Sequence, residues 1–482
     1  MIRHRSCILI LVLAGVSGII NAHLQTSQSF MFPHQAYQNL AMQQALWHDI
    51  IYNKKGIARC AYQISGVYQQ SVSDERTTQY FLPACTHGSL LVTGDNSPEK
   101  PIRNIRAEWL GITSSQFRGN LSINPTQREL GFIVEFNQDC GRLFDLSFLK
   151  DYWFSLALPI MMVENNLNFK QFNVNGTNNH QPTDIISAFN QPAWRFSKWR
   201  PTSKSKIGLA EIAIRFGKAY LAQDNFEVVY YSGFSIPTTK KQSAKYLFNP
   251  FVGYNGHLGF RTGVNFQLTL NKNTAHYASC LFLNLESIFF LHNTQYRTFD
   301  LMDKQFSRFL QFNIINGPPN QNIPGVNILT TKAHVHPYNL MDIAMGFRIK
   351  GQCAELEIGY SLWAHGREKV EVACFDEIYG IAGNGPLDPT AATPVASSAS
   401  LSTIKDQAAN DSVFIVVLKR DIDHESGSSK AALNHKAHMS LGYTNKGNRV
   451  DGFLGIGAFY EIPQKNTALQ NWGFWLKCGA VF

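Results

Sequence analysis

The chain has 482 residues, of which 44% are hydrophobic and only 16% charged, and its formal net charge is +9. So few charges argue against a large surface in water, and no basic run interleaves with aromatic residues as in a nucleic-acid-binding module. No segment after Ile20 approaches the ~18 consecutive apolar residues that a membrane-spanning helix needs. These features exclude a nucleic-acid-binding module and a helical membrane protein.

The N-terminus predicts export. Arg3 and Arg5 precede an apolar stretch at residues 7–20, and Asn21 and Ala22 form a small-residue cleavage site. This is the pattern of a secretory signal peptide, which we place at residues 1–22. The apolar stretch is too short to serve as a membrane anchor.

Residues 23–57 precede the first predicted strand. Leu40, Met42, Ala45 and Leu46 have roughly helical spacing. We therefore expect a short amphipathic helix in an N-terminal periplasmic segment, at the mouth of the structure that the strands form. A plug inside that structure is the alternative.

From residue 58 onward, apolar residues alternate with polar or small ones. A strand places successive side chains on opposite faces, so this alternation indicates two-faced strands. Strands of about ten residues suffice to cross a bilayer when they are tilted. Twelve segments have this pattern: residues 58–70, 129–138, 151–163, 207–217, 226–236, 257–270, 275–291, 338–350, 352–364, 435–443, 452–462 and 472–482.

The connections between these segments alternate between short and long. Membrane-spanning up-and-down barrels combine tight periplasmic turns with long outer loops. We therefore predict an all-β fold, a membrane-spanning antiparallel β-barrel of about twelve strands over residues 58–482. Residues 116–123 and 413–418 also resemble strands and would raise the count to fourteen, but we interpret them as hairpins in the outer loops. Three prolines, Pro159, Pro237 and Pro463, are predicted to lie where strands leave the bilayer.

The last strand carries the most specific pattern. Phe474, Leu476 and Phe482 share one face, and the chain stops at the aromatic Phe482. This ending resembles that of bacterial outer-membrane β-barrel proteins. The resemblance implies that these residues form an assembly signal, that the barrel-assembly machinery is a partner, and that the protein resides in the outer membrane.

The opposite faces of the strands carry polar and ionisable residues. Ionisable groups at membrane depth need water or a partner, so we expect them to line a lumen. Their mixed signs suit a hydrated passage or a lumen closed by salt bridges. The predicted lumen-lining residues are Glu211, Arg215, Glu227, Arg261, Asn265, Gln267, Asp342, Arg348, Glu355 and Glu357.

One long loop, residues 164–206, is basic and aromatic. We expect Arg195, Lys198 and Arg200 to form a constriction that favours anions, if the loop folds into the pore. The alternative is a loop that lies on an acidic lipid surface. Within this loop, residues 183–189 predict a short helix with Asp184 near its start.

A hydrolase is a weaker hypothesis. His424 and Ser426 have the His-x-Ser spacing of outer-membrane phospholipase A, and Asn434 is the nearest candidate for the third role. The spacing to Asn434 is short for that family, so we assign no catalytic residue. The sequence indicates no cofactor and no metal ligands.

These patterns together favour a porin-like channel for passive diffusion of small hydrophilic solutes. A surface-exposed interaction barrel with a closed lumen is the alternative. The expected partners are outer-membrane lipid, the assembly machinery and the solutes, with no nucleic acid.

Overall fold

The structure is a computed structural model, and it describes residues 26–47, 60–73, 75–83, 88–144, 147–149, 151–176, 180–222, 225–273, 277–315, 317–318, 321–383, 398–408, 411, 413–447 and 450–482. The predicted signal peptide and residues 48–57 lie outside these ranges. In the described part of the chain, no helix has the length and apolar character that crossing a membrane requires.

Twelve antiparallel strands form a closed barrel, as predicted. Each strand pairs with the next along the chain, and the last pairs with the first from Ala61 opposite Val481 to Ser71 opposite Asn471. The strands are β1 (Cys60–Ser71), β2 (Thr126–Asp139), β3 (Tyr152–Asn166), β4 (Glu211–Ala222), β5 (Phe226–Pro237), β6 (Gly259–Asn273), β7 (Tyr277–Phe290), β8 (Asn339–Gly351), β9 (Ala354–His365), β10 (Ala432–Asn445), β11 (Asp451–Pro463) and β12 (Asn471–Val481).

An additional strand, Lys204–Leu209, pairs with the C-terminal half of β3, whereas β4 pairs with the N-terminal half of β3. Between them, the N–H of Ala210 donates to the carbonyl of Pro159, with 2.7 Å between N and O. Pro159 therefore lies inside β3, and its predicted position at a strand end is wrong. A proline has no N–H to donate, and it is accommodated where the neighbouring strand is interrupted. Pro237 and Pro463 do end β5 and β11.

The two faces of the barrel wall differ sharply. On β12, Phe474 and Leu476 are 44% and 52% exposed, whereas Trp475 and Lys477 point inward and are almost fully buried. Large apolar side chains cover the outside in the same way on the other strands. An apolar surface of this extent is unfavourable in water and suits contact with lipid. A strand can lie in lipid only if its backbone groups are paired, and closure of the barrel leaves no strand edge unpaired.

The long loops fold together into a cap over one end of the barrel, and a shared apolar core holds them. Both residues 116–123 and residues 413–418 were expected to form strands in the outer loops. The first range contains the strand Arg118–Ser122, whereas the second forms no strand. The cap sheets comprise Leu90–Thr93, Ile105–Arg106, Arg118–Ser122 and Lys170–Asn175; Asn293–Thr298, Thr330–His336 and Lys369–Val372; Gln311–Ile314, Ile323–Pro324 and Tyr379–Ile381; and Asp300–Leu301 with Ile422–Asp423.

The helices are short. They are α1 (Leu40–Gln44), α2 (Glu75–Phe81), α3 (Cys140–Phe144), α4 (Ile185–Asn190) and α5 (Gly325–Ile328), with single 3-10 turns at Lys100–Ile102, Ala107–Leu110, Ser147–Leu149, Ser307–Phe309, Lys419–Asp421 and His424–Gly427. The predicted helix near Asp184 is confirmed as α4. The Asp184 carboxylate caps the N-terminus of this helix by accepting the N–H of Ser187, with 2.7 Å between O and N. The end of the barrel opposite the cap has the short turns.

Candidate functional site: the barrel interior

Residues 26–47, called the inner segment below, run from the cap, where Ser27 donates to Asp300 and Ser29 donates to the carbonyl of Thr298, into the interior of the barrel. Most of their side chains are buried, including Tyr37, Met42 and Trp47. They contain α1, where the Asn39 side chain caps the helix by accepting the N–H of Met42. The sequence predicted a short helix here in a periplasmic segment at the barrel mouth, with a plug inside the barrel as the alternative. The described residues instead lie between the strands, because the inward faces supply the polar partners that their backbone needs.

Side chains of the inner wall, meaning the inward faces of β1–β12, bind this backbone. The N–H of Ala36 donates to Glu129 at 2.7 Å, and the N–H of Leu40 donates to Asp342 at 3.1 Å. The Lys477 ammonium donates to the carbonyls of Gln43 and Ala45, at 3.0 and 2.7 Å. A buried backbone group without a partner is costly, so these wall residues stabilise a segment that has no sheet of its own.

Apolar contacts hold both ends of the inner segment. Near the cap, the ring of Phe32 lies 5.8 Å from that of Phe251, and at the other end Trp47 lies 5.9 Å from Phe453. Leu46 packs against Gly442 and Gly455, where a side chain on either glycine would occupy the same space. The segment is thus fixed along its length by apolar contacts and by hydrogen bonds.

A first cluster of buried charges lies inside the barrel and joins several strands of its wall. The Arg261 guanidinium pairs with Glu211 and, at 2.7 Å, with Glu286. Arg215 pairs with Glu286 at 3.3 Å and with Glu135 at 3.5 Å. Arg261 and Glu286 lie on the neighbouring β6 and β7, whereas the other three pairs join strands that are not neighbours, so these side chains reach across the interior. Buried charges persist only where they are paired in this way.

A second cluster lies on β5, β6, β8 and β9. Arg348 pairs with Glu357 at 2.7 Å and with Glu355 at 3.3 Å, and it donates to Gln267 at 2.9 Å. Gln267 in turn donates to Glu227. Farther along the interior, the His34 ring lies 2.7 Å from Glu461, so a residue of the inner segment joins a wall carboxylate directly.

The structure places all ten predicted lumen-lining residues on the inner face. Nine are less than 10% exposed, and Glu227 is partly buried. The sequence analysis missed His34, Glu129 and Glu461. Glu129 and Glu461 have the inward phase of their strands, so counting the alternation to the strand ends finds them, whereas no local signal identifies His34.

The interior retains a small cavity with room for about one water molecule. Tyr37 and Gln43 border it on the side of the inner segment, and Arg261, Glu286 and Asp342 border it on the wall. Paired charges and the inner segment occupy much of the space that an open channel would leave to water.

The three basic residues predicted to form a constriction lie in the cap. Arg195 is exposed, Lys198 donates to the carbonyl of Asn190, and Arg200 lies over the ring of Tyr246 at 5.4 Å. Their loop packs its aromatic residues into the cap core: Phe189, Trp194 and Trp199 contact Phe309. This packing keeps the loop above the barrel instead of inside it.

The residues considered for a hydrolase are not brought together. The Ser426 hydroxyl donates to the carbonyl of Asp423 and accepts the N–H of Asp300, and the Asn434 amide donates to Glu461 inside the barrel. Ser426 therefore serves to join cap strands. Among the hydrogen bonds of the described residues, none links Ser426 to His424.

A closed antiparallel barrel whose outer surface is apolar and whose interior holds paired charges is the fold of membrane-spanning β-barrels. No protein-family model and no curated protein matches the chain. Among solved structures, it is similar to an outer membrane channel from Pseudomonas putida F1, with 9% identity, a TM-score of 0.35, and coverage of 88% of this chain and 96% of that one.

Two other solved structures show the same level of similarity. The translocator domain of autotransporter NalP from Neisseria meningitidis has 9% identity and a TM-score of 0.29, covering 91% of this chain and 94% of that one. A Pseudomonas aeruginosa FadL homologue has 8% identity and a TM-score of 0.27, covering 88% and 90%. No inference about solute or mechanism follows from similarities this weak.

Proposed function

We propose that the protein is a bacterial outer-membrane channel for small hydrophilic solutes, and that the inner segment holds it shut in this conformation. The sequence favoured an open, porin-like passage. The occupied interior favours a passage that opens when residues 26–47 move.

The observation that carries this proposal is the polar contact between the inner segment and the wall. Water can replace the hydrogen bonds from Glu129, Asp342 and Lys477 when the segment leaves, so each contributes only about 1–3 kcal/mol net. The wall that remains carries paired charges and amides, which water can hydrate, beside apolar side chains such as Ile133 and Trp363 that belong to the same buried cluster as the segment.

Planar-bilayer recording tests the proposal. We expect the mature chain to be closed most of the time and a variant lacking residues 26–47 to give frequent current steps. Circular dichroism verifies that the variant retains its strands. Absence of current steps from both proteins, with the barrel folded, would overturn the proposal.

A second candidate function is binding of a partner by the cap. The favouring observation is the apolar core that the cap loops share, which gives them a fixed surface instead of separate mobile loops. Specific binding of cells or extracellular protein that is lost when residues 399–430 are replaced by a short linker supports this function. Retention of that binding after the replacement argues against it.

A further inference from the structure

Two stretches at the cap end of the barrel, residues 191–210 and 237–256, are strongly basic. Together they contain eight lysines and arginines and no aspartate or glutamate. The whole chain has 43 lysines and arginines against 34 aspartates and glutamates, so these two stretches hold eight of its nine net positive charges. Elsewhere in the chain the basic residues are balanced by acidic ones, whereas here they are not.

The two basic stretches pack side by side. The N–H of Lys198 donates to the carbonyl of Lys245, with 3.0 Å between N and O. The Lys206 ammonium donates to the carbonyl of Lys240 at 2.7 Å. These contacts place the cations of one stretch next to those of the other, and we call the surface that they share the basic rim. It comprises Lys198, Arg200, Lys204, Lys206, Lys240, Lys241 and Lys245.

Three cations of the basic rim surround one aromatic ring. The Lys204 ammonium lies 4.3 Å from the ring centroid of Tyr246, the Arg200 guanidinium 5.4 Å and the Lys245 ammonium 5.6 Å. The face of the ring stabilises a cation, but the ring has no net charge and leaves all three charges in place. Because like charges at such spacing repel one another, anions should accumulate here.

The carboxylates nearest to the basic rim already have partners. The strand pairing places Glu164 of β3 opposite Ser205, but Glu164 pairs with Arg128 at 2.7 Å. Glu211, which follows the first basic stretch, is buried and pairs with Arg261. Among the ion pairs of the described residues, none includes a cation of the basic rim. The anions must therefore come from outside the chain.

The basic rim borders the surface that faces lipid. Ile207 and Ile236 lie on the outside of the barrel and are 69% and 39% exposed. A strand rises about 3.3 Å per residue, so Lys204 lies within roughly 10 Å of Ile207, and Lys240 within roughly 13 Å of Ile236. The layer of a membrane next to its hydrocarbon core is the polar headgroup layer. The basic rim therefore lies at the height of lipid headgroups.

We propose that the basic rim binds the phosphate-bearing headgroup of an anionic lipid in the leaflet on the cap side. Clusters of lysine and arginine beside a membrane-facing apolar surface attract anionic headgroups, and the guanidinium of Arg200 offers two parallel donors to a phosphate. The acyl chains then lie along outward apolar side chains such as Ile207. This inference goes beyond the proposed channel, because lipid binding does not require the barrel to conduct.

Titration of the mature chain in a neutral detergent with phosphatidylglycerol that carries a fluorescent acyl chain tests the proposal, with fluorescence anisotropy as the readout. We expect saturable binding. Phosphatidylcholine with the same acyl chains should bind at least ten-fold more weakly, because its headgroup has no net charge. Added salt should reduce this difference, since it screens charges that are exposed to solvent.

Lys240→Gln combined with Lys245→Gln removes two exposed charges of the basic rim. A lysine at an anionic lipid surface contributes a factor of roughly five to affinity, so this variant should bind phosphatidylglycerol at least ten-fold more weakly. Its affinity for phosphatidylcholine should not change. Lys332→Gln combined with Lys465→Gln is the matched control, because it removes two exposed lysines from separate loops, and it should bind both lipids as the parent chain does.

Inorganic phosphate separates a lipid site from a site for free phosphate. At the concentration of the lipid it should leave phosphatidylglycerol bound, because it has no acyl chains to contact the barrel wall. Displacement by phosphate, equal binding of the two lipids, or equal affinities of the rim variant and the control for phosphatidylglycerol would overturn the proposal, whether or not the protein conducts. Circular dichroism verifies that both variants retain their strands.

Discussion

Arg261 and Glu286 show what the interior demands of a single side chain. Removing an ion from water costs several kcal/mol, and a partner at hydrogen-bond distance offsets that cost. Arg261 has two such partners, and Glu286 is shared with Arg215. Gly233 lies close to the backbone of β4 beside Arg215, where a Cβ would collide with the carbonyl of Ile214.

His257 lies at the base of the cap. Its Nδ1 is 2.9 Å from the carbonyl of Leu291 and its Nε2 is 2.8 Å from the amide nitrogen of Gln295, an arrangement that suits the neutral ring with Nδ1–H donating and Nε2 accepting. Burial lowers the pKa of His257 from its usual 6.5 to about 4, because a charged imidazolium would lose its hydration.

The cap should therefore lose stability as the pH falls from about 6.5 towards 4. The folded pKa lies below the unfolded pKa, so in this interval the unfolded state binds a proton that the folded state does not. The loss amounts to at most about 3 kcal/mol. Hydrogen-exchange protection of cap amides at pH 7 and pH 5 measures it. His257→Gln should reduce this pH dependence and leave the part that comes from His336 and His424, whose pKa values burial also lowers. An equal dependence in both proteins would contradict the assignment.

The strands owe their predictability to a local signal. In residues 257–270, the alternation of apolar with polar or small residues indicates both that a strand forms and which face of β6 meets lipid. This prediction requires no knowledge of contacts with residues elsewhere in the chain. The whole set of twelve strands is confirmed for this reason. Pro159 is the exception, because its tolerance depends on the interruption at Ala210, a residue more than fifty positions away.

The pairings within the cap, and the contacts that the inner segment makes with the wall, escaped prediction for the opposite reason. Strand Asp300–Leu301 pairs with Ile422–Asp423, and the segment's His34 pairs with Glu461, contacts between residues that lie over a hundred positions apart. No periodicity encodes such pairs. The ten lumen-lining residues could be predicted from the sequence, because the alternation along each strand shows which face a residue is on. Which of these residues pair with one another could not be predicted in this way.

Glycines on the inward faces of the strands leave space for large side chains of neighbouring strands. The Trp153 side chain of β3 lies over Gly217 of β4, where a Cβ would be 2.2 Å from the indole ring. Gly217→Val should displace this indole and reduce the free energy of unfolding by about 1–3 kcal/mol, the usual cost of overpacking. Urea unfolding in lipid vesicles measures it.

Gly66→Val is the matched control. Gly66 lies on β1, and a Cβ added there would have no other atom within 4 Å, so its replacement should change the unfolding free energy little. Equal effects of the two replacements would contradict the packing described for the inner wall.

The molecule as a whole combines a lipid-facing cylinder, a cap, and a segment threaded between the inner faces. The cylinder is closed by β1 and β12, whose ends are joined by two hydrogen bonds between Cys60 and Phe482, each 3.0 Å long. The exposed Phe474, Leu476 and Phe482 then complete the outer apolar surface, and their service as an assembly signal stays a prediction.

The proposed gate depends on how firmly the wall holds the inner segment, and Lys477 is the most direct point to weaken it. Its ammonium binds the carbonyls of Gln43 and Ala45 at once. Two hydrogen bonds to a charged group contribute roughly 3 kcal/mol, so their loss should shift the equilibrium between closed and open states about ten-fold or more.

Single-channel recording of Lys477→Met in a planar bilayer therefore tests the central claim most directly. We expect its open fraction to exceed that of the parent chain at least ten-fold, and Lys465→Met, which removes an exposed lysine from the loop between β11 and β12, to behave like the parent. An open fraction that is the same in all three proteins, with the barrel folded, would contradict the claim that the inner segment is the gate.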